Sequence, residues 1–162
     1  MQVRSARPEE YAAVGALSVR AYVDEGFVKP ESQYVSQLAD AAHRASEAEL
    51  YVAVDRADRV LGAVTFALPH SSYAEITGPG EAGFRMLAVD PAARGRGVGE
   101  ALVRACIGRA AALGCSVLRL STLPDMTAAH RLYRRLGFYR TPDLDWEAMP
   151  GNRLLTFALD LR

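Results

Sequence analysis

The chain has two cysteines, one tryptophan and one lysine in 162 residues. Two cysteines, Cys106 and Cys115, cannot make a disulfide framework, and neither stands in a CxxC pair. Both have apolar neighbours and read as small reduced core residues. No apolar run reaches the roughly 18 residues of a membrane span. Met1 to Pro8 contains no apolar core of a signal peptide, so the expected location is cytoplasmic. Net charge is also lacking: 19 basic residues balance 19 acidic ones. That balance offers no global field for nucleic acid or a membrane surface, so any anion site must be local. His43, His70 and His130 show no ligand spacing with Cys, Asp or Glu, and no metal is expected. Lys29 is the only lysine and the other basic residues are arginines, a bias that fits a GC-rich bacterial genome.

What is present is an ordinary globular composition, 50% hydrophobic and 23% charged. A chain of this length can bury a core without metal or disulfides, and residues 1–162 are expected to form one domain. Short mixed elements follow one another. Val3 to Ala6 reads as a strand. A helix opens at Pro8-Glu9-Glu10, where proline and acids suit a first turn, and another follows Pro30 through Val35, Leu38, Ala42 and Ala45. Leu50 to Val54, Arg59 to Leu68 and Glu81 to Val89 make an antiparallel meander, with a loop from Pro69 to Gly80. A helix with apolar positions Val98, Leu102, Cys106 and Ala110 runs to Leu113, and Gly114 caps it. Ser116 to Ser121 is a strand parallel to the third strand of the meander by the crossover rule. A helix from Thr127 to Leu136 follows, then strands at Phe138 to Thr141 and Leu154 to Leu161. Pro142 to Asn152 reads as irregular. The expected class is α/β with a mixed sheet, in the order β-α-α-β-β-β-α-β-α-β-β.

The chemistry concentrates between Leu87 and Gly99, in a strand, a turn, a glycine-rich loop and a helix start. Main-chain N–H groups at a helix N-terminus are unpaired and, with the helix dipole, attract anions. Glycines let a phosphate approach the backbone closely. Arg94 and Arg96 can add charge at the rim. The expected ligand is a phosphate or pyrophosphate. A P-loop would need GxxxxGK[ST], and a Rossmann fingerprint GxGxxG after a first strand. Neither matches Arg94-Gly95-Arg96-Gly97-Val98-Gly99.

That hexapeptide, following Leu87-Ala88-Val89-Asp90-Pro91, resembles the pyrophosphate loop of the GNAT superfamily of acyl-CoA-dependent N-acetyltransferases. Ala129-His130-Arg131-Leu132-Tyr133-Arg134-Arg135-Leu136-Gly137-Phe138 resembles its downstream A-x-x-L-Y-x-x-x-G-F motif. The resemblance covers essentially the whole chain. It implies a GNAT-like fold whose two central parallel strands splay apart. It also implies acetyl-CoA as co-substrate, held by Leu87, Ala88, Val89, Arg94, Gly95, Arg96, Gly97, Val98 and Gly99. Tyr133 would stand near the sulfur and protonate the departing thiolate.

For a general base, some members carry a glutamate where this chain has Gly83. Glu81, two residues back on the same face, is one candidate, and Glu75 in the loop is another; a site with no dedicated base is the third option. Met126 stands where the family often has an asparagine. The implied activity is acetyl transfer to a primary amine, on a small molecule or a protein. The alternative is an acyl-CoA-binding sensor or scaffold without turnover. Acceptor walls are expected from Tyr22 to Tyr34, Pro69 to Glu81 and Pro142 to Asn152. A homodimer is compatible with the size and class.

Overall fold

The computed structural model describes residues 1–162. Eight strands form one sheet flanked by five α-helices: β1 (Gln2–Ser5), α1 (Tyr11–Val19), α2 (Tyr34–Ala39), α3 (Ala41–Glu47), β2 (Glu49–Val54), β3 (Val60–Ala67), β4 (Glu81–Val89), α4 (Val98–Ala112), β5 (Val117–Thr122), α5 (Thr127–Arg135), β6 (Tyr139–Arg140), β7 (Trp146–Met149) and β8 (Asn152–Asp160). The sheet order is β1-β2-β3-β4-β5-β8-β6, with β7 paired to β8. Only β4 and β5 run parallel, as the crossover through α4 requires. No helix is long and apolar enough to cross a membrane.

Three expectations need correction. The helix begun at Pro8 is built in three pitches: a 3₁₀ turn at Pro8–Glu10, α1, and a π turn at Arg20–Asp24. The helix after Pro30 is two short ones, because Asp40 leaves helical geometry (ψ 68°) and its carboxylate caps the His43 N–H at 3.1 Å. The stretch from Pro142 to Asn152 is not irregular throughout. Trp146–Met149 forms β7, a hairpin arm on β8 that turns at Pro150-Gly151 with Gly151 at φ 83°.

The sheet separates two apolar layers. On one face α4 and α5 pack Leu102, Val103, Cys106 and Tyr133 against Phe66, Phe84, Leu118, Leu120 and Phe157. On the other, α1, the π turn after it and α2 pack Leu17, Tyr22, Tyr34 and Leu38 against Met86, Ala88 and Leu154. Both cysteines are buried and unbonded, and burial pushes the Cys106 thiol pKa up, as suits an inert core thiol.

Two features of β4 create the site. Its parallel pairing with β5 runs from Glu81↔Val117 to Phe84↔Leu120 and stops, so the strands part at a fork. Just beyond, Thr65 faces Arg85 and Ala63 faces Ala88, which leaves Val64 opposite both Met86 and Leu87. This β-bulge holds Met86 at φ 57°, a left-handed conformation that costs a non-glycine residue about 1–3 kcal/mol. It also switches the strand's faces. Ala82 and Phe84 pack toward α4 and α5 before it; Leu87 and Val89 do so after it, while Met86 and Ala88 turn to the α1 side.

The position of α4 depends on Gly62. A Cβ there would lie 2.8 Å from the Ala88 carbonyl oxygen and 2.8 Å from Val98 Cγ1. The helix start that follows the glycine loop therefore rests on bare backbone. Gly62→Ala is expected to destabilise the fold by about 1–3 kcal/mol through overpacking, read as a lower denaturant midpoint. An unchanged midpoint would mean that α4 is not seated on β3.

Candidate active site

A cleft of about 450 Å³ opens where the fork, the glycine loop and α5 meet. Leu87, Ala88 and Val89 form its floor. Arg94, Gly95, Gly97, Val98 and Gly99 form one end, and Asp125 to Ala129 with Leu132 and Arg135 form the opposite wall. Its volume falls within the usual range for ligand clefts.

The polypeptide before the helix is arranged to leave N–H groups free. Asp90 accepts from the Ala92 N–H at 3.1 Å and folds Pro91–Ala93 into a 3₁₀ turn. Gly95 and Gly97 then take φ of 77° and 76°, which side chains on L-residues resist, and an added Cβ at either would meet nothing within 4 Å. The first N–H returned to the helix is that of Ala101, which donates to the Gly97 carbonyl at 3.0 Å. None of the N–H groups from Gly95 to Glu100 donates to a main-chain carbonyl. Gly97 offers no side-chain cap to replace those bonds. A run of free donors at the start of a fifteen-residue helix, beside open space, is a seat for a phosphate.

Charge around that seat is tuned. Glu100 in the first turn is held by Arg135 at 2.6 Å and Arg104 at 2.9 Å, and these partners lower its pKa. Its negative charge is thereby offset. Arg94 is tied to Glu25 at 3.0 Å. Arg96 has no carboxylate partner and makes only a 3.4 Å contact to the Ala92 carbonyl. It is exposed at the rim and, alone among the expected cofactor-binding residues, does not line the cleft.

Tyr133 is buried one turn inside this wall, on the helix that presents Ala129 and Leu132 to the cleft. Its ring meets Phe84, Phe138 and Phe157 with centroids 6.0, 5.9 and 5.9 Å away. Burial pushes its pKa up, so the phenol keeps its proton through neutral pH. Phe84, its edge-on neighbour, is the last residue of β4 before the fork.

The profile of the Acetyltransferase (GNAT) family matches residues 16–138. The chain belongs to that family. GNAT proteins are acyltransferases that use acetyl-CoA. A GCN5-related N-acetyltransferase from Kribbella flavida is similar in structure, with TM-score 0.69 and 27% identity, covering 98% of this chain and 96% of that one. A GNAT acetyltransferase from Staphylococcus aureus Mu50 superposes with TM-score 0.78 at 12% identity, over 99% of each chain. A putative acetyltransferase from Salmonella typhimurium, solved with its cofactor acetyl-CoA, gives TM-score 0.67 at 20% identity, over 100% of this chain and 94% of that one. In sequence, 55 residues are 47% identical to the mycothiol acetyltransferase of Gordonia bronchialis; the match takes 34% of this chain and spans only 18% of that protein.

In this GNAT chain Glu81 stands away from the cleft, at the closed end of the β4–β5 pair. Arg119 of β5 donates to its two oxygens at 2.9 and 3.0 Å, and the Gly78 N–H donates at 2.8 Å. Arg119 first, then Gly78, hold its pKa below the ordinary glutamate value. Gly83 faces Thr77 and the Arg119 carbonyl, so a side chain there would be crowded. Glu75 pairs with Arg85 at 3.2 Å.

The three stretches expected to wall the acceptor side converge on one group that sequence reasoning did not single out, Arg85. Tyr34, Tyr73 and Trp146 surround its guanidinium with ring centroids at 6.0, 5.9 and 4.9 Å. The signal was available: an arginine between Phe84 and Met86 in an apolar strand needs partners from elsewhere. Phe27 and Ala21, which complete the cleft, carried no such signal.

Glu81 and Arg119 act as a strut across the parallel pair. Because the folded pKa of Glu81 is lowered, the strut stabilises fully above about pH 4.3, the ordinary glutamate value, and is lost as pH falls through the depressed one. Glu81→Gln should therefore lower the melting temperature at pH 7, and the gap to wild type should close on acidification below that value. A gap that persists unchanged at acid pH would contradict the strut.

Proposed function

We propose that the chain transfers an acetyl group from acetyl-CoA to a primary amine, by direct attack in a ternary complex. The observation that carries the reading is the row of unbonded N–H groups from Gly95 to Glu100 facing a cleft that ends at the fork. A diphosphate on those groups sends its pantetheine arm along Leu87 to Val89, where a strand edge beyond the fork can accept an added chain.

The amine must be neutral to attack, and an alkyl amine is only about one part in a thousand neutral at pH 7. Its nitrogen forms a bond to the thioester carbonyl carbon, and the carbonyl oxygen takes up negative charge. A main-chain N–H of the bulged segment, outside the ladder, is the donor we assign to that oxygen. The carbon–sulfur bond then breaks, the sulfur leaves as thiolate, and Tyr133 gives it the phenolic proton. The excess proton on the nitrogen passes to solvent, and solvent returns a proton to the Tyr133 phenolate. We assign Glu81 no proton transfer, because Arg119 and Gly78 occupy its oxygens.

Tyr133→Phe should lower kcat by about 10²–10⁴, the usual worth of a positioned acid, with the KM for acetyl-CoA nearly unchanged. An unchanged kcat would remove Tyr133 from the chemistry. Gly97→Glu places a charged side chain at a positive-φ position in the phosphate seat and should abolish CoA binding by calorimetry. Retained binding would contradict the assigned seat.

A further inference from the structure

Arg85 is the first residue of β4 beyond the last parallel pair, Phe84↔Leu120. It is 5% exposed, yet its charge is incompletely matched. Glu75 accepts from one terminal nitrogen only, at 3.2 and 3.3 Å, which is long for a charge-assisted bond. The Glu75 carboxylate is 38% exposed, on the loop between β3 and β4. The second terminal nitrogen donates to the Tyr34 hydroxyl at 3.1 Å. The buried Nε has no partner at all.

A second buried cation adjoins it. Arg44 is fully buried and donates to the Leu38 carbonyl at 2.7 Å and to the hydroxyls of Ser18 and Thr65 at 3.2 Å. Its Nε is also unpartnered, and Thr65 is the cross-strand neighbour of Arg85. No carboxylate contacts Arg44. Of these two buried guanidinium groups only Arg85 has a carboxylate, and it is loosely held. Buried charge left this far from balance is expensive unless a further anion completes it.

The place is beside the fork, where the three stretches expected to wall the acceptor meet. Trp146, stacked on Arg85, donates its indole N–H to Ser121 at 3.0 Å, and Ser121 is the first β5 residue beyond the fork. Only about 10 Å³ of space remains among Tyr73, Glu75, Arg85, Ser121 and Trp146, because the Glu75 loop and β7 fill it. A carboxylate already rests on Arg85, and it comes from the chain's own loop.

We infer that the acceptor is a small amine that also carries a carboxylate, which Arg85 binds in the place Glu75 now occupies, within the ring of Tyr34, Tyr73 and Trp146. The inference rests on the acetyl-transfer reading and names its substrate class. A guanidinium fork matches a carboxylate in two bonds, whereas Glu75 meets one terminal nitrogen only. An amino group near that carboxylate is brought to the fork.

The test is calorimetry of the CoA-saturated protein with N-acetylated amino acids and their carboxamides, which are product-like probes and need no turnover. At least one acid should bind more tightly than its amide by about tenfold or more, since the amide leaves the guanidinium unmatched. Glu75→Gln, in an exposed loop, removes the internal competitor and should tighten the acids about fivefold while leaving the amides unchanged. Arg85→Gln should erase the preference. Amides binding as well as acids, no acid binding, or Glu75→Gln without effect would overturn the inference, even if Arg85→Gln fails to fold. Those failures in a protein that takes up CoA leave the acetyl-transfer reading standing; absence of CoA uptake removes that reading first.

Discussion

Everything functional in this molecule depends on β4 and β5 ceasing to pair. Up to Phe84 and Leu120 they are ordinary parallel neighbours, clamped by Glu81 and Arg119. Beyond that point the main-chain groups of β4 lose one ladder. The bulge at Met86 turns the strand so that Leu87 and Val89 line the cleft. A continuous sheet would leave no room for the cleft and no unpaired strand edge beside it. The energetic cost is local: one non-glycine residue in a left-handed conformation and a stretch of unsatisfied backbone. The apolar layers on both faces over-determine that geometry.

The two sides of the fork solve opposite electrostatic problems in a chain of zero net charge. On the cleft side the attraction for an anion comes from peptide N–H groups, while nearby arginines are largely paired with Glu25 and Glu100. On the far side it comes from guanidinium groups buried among tyrosines and a tryptophan, where desolvation magnifies each charge. A neutral overall charge therefore says little about either site. Tyr133 packs beside Phe84 in an aromatic cluster that keeps its phenol protonated.

The cleft was readable from sequence because its parts are local. Arg94 to Gly99 needs positive φ at fixed positions and a helix immediately after, and glycines report both. The run from Ala129 to Phe138 carries its own periodicity and a capping glycine, which takes φ 99°. Other features are products of register and distance. Glu81 looked available for proton transfer, but its partner lies 38 residues away on a strand whose alignment no local pattern sets. β7 is four residues long and flanked by acids and prolines, so it reads as a loop until β8 supplies its ladder. The ring around Arg85 draws on residues 34, 73 and 146, which only the finished fold brings together.

In the proposed function, peptide N–H groups after the Asp90 turn grip a diphosphate. The most direct measurement is the response of backbone amide resonances to added CoA. The largest shifts should fall on Gly95 to Glu100, with smaller ones along Leu87 to Val89. Saturating CoA that leaves the Gly95 to Glu100 amides unmoved would contradict it.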